Sequence, residues 1–225
     1  MSIYEKALGK EYKKMHPKLQ EKFGLTSQAN IASISRGVMD EIWGGRIFMY
    51  PFLQLGTLKH ISFRERGSQI PFTLENYAYK NSIGQECMAW NRSFNFSKTR
   101  HFDATMVYSS KTKGIVDYLG IDQDFVTKID LSVLENGGIR LLSGPLVFNN
   151  MGIKFNIPSF ISGVAEAVEW YDEINEKFHI KVEVKNKMFG TIFGYKGTFK
   201  TEYYSCTGGI PKNKKPRKEG TMNVL

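Results

Sequence analysis

From Ile31 onward the chain repeats one pattern: short β-favouring runs cut by clusters of Gly, Asn, Ser and Lys. Such runs occupy 31–43, 70–79, 86–96, 101–109 and 115–119, and resume at 126–135, 139–148 and 153–157. The alternation is cleanest late in the chain, where Phe178, Ile180, Val182 and Val184 interleave with His179, Lys181, Glu183 and Lys185. A period of two sends alternate side chains to opposite faces of a strand, so one face here is apolar and the other wet. Next, Phe189, Thr191, Phe193, Tyr195, Gly197 and Phe199 share a face opposite Gly190, Ile192, Gly194, Lys196 and Thr198, and the glycines at 190 and 194 suggest a bend or a close approach of another backbone. About ten strands with hardly any intervening helix exceed what a flat open sheet tolerates, so the sheet must curl on itself or fold into two layers. The expected fold is mainly β: a curved antiparallel meander of about ten strands, barrel-like, with N-terminal helices packed on it.

Those helices come from residues 3–23, where Leu8, Tyr12, Met15 and Leu19 fall on one helical face. Pro17 interrupts the face, and because proline suits a first helical turn but not a helix middle, two short helices meeting near His16 are expected. Asn136-Gly137 marks a hairpin in which both central residues would take positive φ. The stretch 47–58, IFMYPFLQLGTL, is apolar, rich in aromatics and bracketed by Arg46 and Lys59. It is too short to span a bilayer as a helix, and reads as a short buried helix, a lid over an apolar cavity, or an interfacial contact. Residues 1–207 form one β-rich domain in this reading, and 208–225 form a basic, proline-broken tail expected to be disordered.

The net charge of +9 raises nucleic-acid binding as a function. The tail supplies much of that charge, and Lys80, Lys98, Arg100, Lys111, Lys113, Lys185 and Lys187 fall at turns on both ends of the sheet, so no single basic stripe results. Nucleic acid is therefore not an expected partner. Cys87 and Cys206 stand alone without a CxxC spacing, which indicates neither a disulfide framework nor a zinc site and favours a cytoplasmic, reducing home, with membrane association as a variant. The N-terminus carries charge throughout and lacks the apolar run of a signal peptide. There is no GxSxG elbow, P-loop, dinucleotide fingerprint, HExxH or EF-hand loop, and no cofactor is implied. The four histidines, His16, His60, His101 and His179, are widely separated and make no metal-ligand spacing, so each is expected to be structural or on the surface.

The most informative run is 86–96. Its even positions read Glu86, Met88, Trp90, Arg92, Phe94 and Phe96, so bulky apolar side chains share a face with an acid and a base. A lone buried charge costs several kcal/mol, which forces Arg92 toward a partner or toward water. Candidate partners are Glu86, Asp117, Glu41 beside Trp43, and Glu169 beside Trp170. One reading is a structural ion pair. Another is a ligand cavity in which Arg92 grips a carboxylate or phosphate while Trp90, Phe94 and neighbouring aromatics pack the apolar remainder, with Glu86, Glu41 and Trp43 completing the site. A third is acid–base chemistry by Glu41, Asp40 or Glu86.

The series His16-Pro17, Gly37-Val38-Met39-Asp40-Glu41-Ile42-Trp43-Gly44-Gly45, Ile70-Pro71-Phe72, Glu86 with Trp90-Asn91-Arg92-Ser93-Phe94, and Gly190-Thr191-Ile192-Phe193-Gly194-Tyr195-Lys196-Gly197 resembles the bacterial domain of unknown function DUF4166. The resemblance runs from about residue 3 to residue 200 and leaves out the tail. It implies a mainly β domain, found alone or joined to other modules, and brings no established activity or catalytic residue. The leading expectation is thus a non-enzymatic module that binds a hydrophobic or lipid-like small molecule in the concave side of the sheet, anchored by Arg92. The alternatives are an enzyme using buried Glu41 and Glu86, and an accessory domain docking on a membrane or protein partner.

Overall fold

The computed structural model describes residues 1–45, 50–158 and 162–219, without the side chain of Phe52. The N-terminal segment forms α1 (Ile3–Leu8), a 3-10 stretch (Gly9–Lys14) and α2 (Pro17–Phe23). The break falls where proline places it: His16 is the N-cap of α2, its Nδ1 accepting from Lys18 N at 3.2 Å, with Pro17 in the first turn. At the start of α1, Ser2 Oγ accepts from Glu5 N.

Among the described residues twelve strands follow: β1 (Ile31–Trp43), β2 (Gly67–Lys80), β3 (Glu86–Asn95), β4 (Thr99–Ser109), β5 (Gly114–Leu119), β6 (Phe125–Val133), β7 (Ile139–Ser143), β8 (Val147–Asn150), β9 (Ile153–Asn156), β10 (Val164–Asp172), β11 (Lys177–Asn186) and β12 (Gly190–Ser205). A third helix, α3 (Tyr50–Leu58), lies between β1 and β2. All strand pairings are antiparallel, in the order β5-β4-β3-β2-β1-β12-β11-β10-β7-β6, and β5 also pairs with β6. That last pairing closes ten strands into a barrel, and the β8–β9 hairpin extends from β6 outside the ring. The closing seam between β1 and β12 begins at Ile31↔Ser205 and holds a register shift between Met39 and Glu41. A Cβ on Gly37 would lie 1.9 Å from Thr198 O, and one on Gly197 2.2 Å from Val38 O, so both glycines are needed for this close seam.

Four local expectations change. The run 139–148 is split between β7 and β8, and β10 has no counterpart among the predicted strands. The Asn136-Gly137 turn does join a hairpin, but only Gly137 takes positive φ (76°), closed by Gly137 N donating to Leu134 O. At β12, Gly194 faces the Trp43 ring rather than a backbone, while Gly190 meets nothing and serves a turn at φ 73°.

The inward face carries the main core, including Phe72, Leu74, Met88, Phe94, Met106, Ile115, Tyr195 and Phe199, joined by Ile3, Tyr4, Leu19 and Phe23 of the N-terminal helices. A smaller apolar cluster on the outer face of β2–β6, with Tyr79, Cys87, Val107 and Val116, is covered by Val147 of β8 and by Ile210. The segment expected to be a disordered tail is, over 208–219, laid along this outer wall. Arg217 N donates to Ile121 O, Lys214 pairs with Glu75, and Lys218 lies 3.5 Å from Asp124. Ile210 explains the difference, since an apolar anchor sits among the lysines and covers an apolar wall. Residues 220–225 lie outside the described residues.

Candidate functional site

The barrel encloses a cavity of about 620 Å³. Its walls are mainly apolar, from Trp90, Phe102, Met106, Leu119, Ile129, Leu141, Ile180 and Val182, with Arg92, Asp117, Thr127, Glu169 and Tyr195 among the polar exceptions. Its size falls in the range of small-molecule sites, roughly 300–1,000 Å³.

The N-terminal helices stopper one end. Tyr4 sits beneath the floor, accepting from Trp90 Nε1 at 2.7 Å and donating to Met106 Sδ. From α2, Lys22 reaches Glu169 of β10 at 2.6 and 2.8 Å, with both side chains almost fully buried. The Lys22 ammonium also lies 4.9–5.8 Å from the ring centres of Phe23, Trp90, Phe178 and Phe199. Burial pulls the lysine pKa down and pushes the glutamate up, and each is countered by the other's charge. The other end is bordered by α3 and the turn after it, through Leu53, Leu55, Leu58, Lys59 and Ile61. Leu53 is buried, whereas Leu55 and Leu58 are 66% and 71% exposed, so α3 is a half-buried helix at the cavity mouth rather than a buried one. Residues 47–49 of the predicted apolar segment lie outside the described residues.

Arg92, on β3, is buried against this cavity at 8% exposure. Its guanidinium is stacked between two rings, 5.1 Å from Trp90 and 4.8 Å from Phe102, and Nη1 donates to Phe102 O at 3.2 Å. Nε has no hydrogen-bond partner among the described residues. Among the described residues no acid lies within ion-pair distance, which corrects the expectation of a carboxylate partner. Each candidate is engaged or placed elsewhere: Glu169 binds Lys22, Glu86 accepts from Ser27 N and Oγ, and Glu41 pairs with Lys196 at 3.1 Å. Asp117, on β5, lines the same cavity with Oδ1 unpartnered among the described residues. Burial raises its pKa to about 7, against the pull of the Arg92 charge. Tyr195, a third wall residue, has a buried hydroxyl with no hydrogen-bond partner among the described residues.

Of the other predicted residues, Trp90 lines the cavity, while Phe94 is fully buried in the neighbouring core against Phe63, Phe72 and Tyr195. Glu86 has the inward parity of Arg92 but sits at the start of β3, where it staples the linker following α2. Glu41 follows the register shift in β1 and is exposed, and Trp43 covers Gly194 with Lys196 5.9 Å from its ring. Asp40 is exposed as well. The carboxylates of Glu41 and Glu86 therefore do not converge, and the acid–base reading built on them is corrected. Lys22 was missed altogether, although it carries the signal used for Arg92: a charge at i+3 from Leu19 and beside Phe23, on the apolar face of its helix.

The DUF4166 family, described as a domain of unknown function, matches residues 15–199. The chain belongs to this family. "Uncharacterized protein YndH" of Bacillus subtilis (strain 168) is 35% identical over 202 residues, covering 89% of this chain and 97% of that protein. No solved structure matches. No helix among the described residues is long and apolar enough to cross a membrane.

Proposed function

We propose that this DUF4166 barrel is a non-enzymatic binding module for an amphipathic small molecule with an anionic group, its apolar body in the barrel cavity and its charge at Arg92. The observation that carries this reading is a guanidinium held between two rings on the wall of an apolar cavity, with no acid within ion-pair distance among the described residues. A guanidinium offers five donors in a planar fork, of which only the Phe102 contact is used among the described residues. Leaving a charge so placed is costly unless something else completes it. An anionic head group would do so, and Asp117, whose pKa of about 7 leaves it protonated below neutrality, would donate to that group rather than repel it.

The test is displacement fluorimetry with a naturally fluorescent polyunsaturated fatty acid. Saturable binding at one site, weakened tenfold or more in Arg92→Met and absent for the corresponding alcohol, supports the reading. Equal binding of acid and alcohol, or no binding with the chain folded, overturns it.

A further inference from the structure

The wall that holds Arg92 on its inner side carries a second polar group on its outer side. His101 and Asp103 are two residues apart on β4 and so share a face, and their β3 partners are Ser93 and Asn91. His60 reaches the same spot from the turn after α3, where it takes φ 57°. Its Nδ1 lies 2.6 Å from Asp103 Oδ2, its ring stacks on that of His101 with centres 4.6 Å apart, and its carbonyl accepts from Asp103 N. One donor atom from each of His60, His101 and Asp103 lies within 4.8 Å of the others. Over them is a second pocket, of about 220 Å³, walled by Asn91 and Ser93 and roofed by residues 213–216. Asn91 Oδ1 is buried there without a hydrogen-bond partner among the described residues.

We propose that His60, His101 and Asp103 bind a divalent transition metal of the zinc class. Two imidazoles and one carboxylate are the donor set that suits zinc, whereas magnesium and calcium favour oxygen donors alone. Tetrahedral donors around zinc stand roughly 3.4 Å apart, so an ion would draw the three side chains together and turn the stacked His60 and His101 rings toward it. Asn91 Oδ1, or a water between it and the ion, fills the fourth position. Of the two lysines over the pocket, Lys214 is bound to Glu75 and Lys215 lies over the Tyr79 ring. A serine-hydrolase reading fits less well. Ser93 Oγ is 3.3 Å from His101 Nδ1, but the aspartate orients His60, so the base beside the serine has no carboxylate behind it.

The metal would clip the turn that ends α3 to the barrel wall beneath the C-terminal segment. The experiment uses tag-free full-length protein, dialysed against a chelator, then titrated with Zn2+ by calorimetry and with Co2+ by visible absorption. One equivalent per chain is expected, with the intense visible bands of a tetrahedral Co2+ site, and tenfold or greater weakening in His60→Ala and in His101→Ala. Both variants leave the Asp103 contact to Arg92 N in place, and circular dichroism checks that they fold. No saturable binding by the wild-type chain, or equal binding by the double variant, overturns the site. Arg92→Met should keep the metal, so this outcome is separate from that of the cavity reading.

Discussion

Two buried cations lie within one barrel and are treated in opposite ways. Lys22 is delivered by a helix, meets both oxygens of Glu169 and is surrounded by four rings. Arg92 stands on the wall between two rings, with one carbonyl for its side chain and an acid on the same cavity that it does not touch. The first arrangement is internally complete and belongs to the architecture, since it fastens the N-terminal stopper to β10. The second is incomplete, and on the reading proposed above a bound anion would complete it.

The sharpest way to break the contrast is Lys22→Met. It strands Glu169 in the core and should cost about 3–5 kcal/mol in urea denaturation, with most of the loss recovered in Lys22→Met/Glu169→Leu. If the single variant is as stable as the wild type, the pair does not fasten the stopper. Asp117 gives a smaller effect with a definite sign. Its folded pKa of about 7 lies above that of an unfolded aspartate, so between about pH 4 and about pH 7 the native state holds a proton that the unfolded chain has released. Stability from this group therefore falls as pH rises through that window, by up to about 1.4 kcal/mol per pH unit. Urea midpoints at about pH 5 and about pH 7 should diverge more in the wild type than in Asp117→Asn, and parallel profiles would contradict a buried, unpaired carboxyl. Arg92→Met sharpens the comparison further: removing an uncompensated charge should leave the urea midpoint unchanged or raised, where removal of Lys22 lowers it. The smallest effect belongs to Glu41→Gln, whose exposed pair with Lys196 should be worth under about 1 kcal/mol, with no change in probe binding.

The barrel was legible because period two survives in nearly every wall strand, and because the helix break at Pro17 is local chemistry. β10 was not, since Glu166 and Glu169 interrupt its apolar rhythm, one pairing with Arg140 and the other with Lys22. Arg92 could be found from its strand alone, because a charge on an apolar face is a sequence-level signal. Its surroundings could not. Phe102 replaces Phe94 as the second ring because β4 packs beside β3, and cross-strand neighbours depend on register. Linear spacing also hid the histidine pair: His60 and His101 are far apart in the chain and meet only because the turn after α3 crosses β4. The available clue was His101 and Asp103 at i and i+2, which a strand places on one side.

The seam between β1 and β12 has a consequence for how the molecule is made. The first strand to leave the ribosome must wait for the last before it gains its second neighbour. Until then the nascent chain holds an unsealed curl of sheet, and loop-closure entropy weighs against the final stitch. Folding should accordingly be slow and late, with chaperone dependence concentrated in the interval before Ser205 emerges.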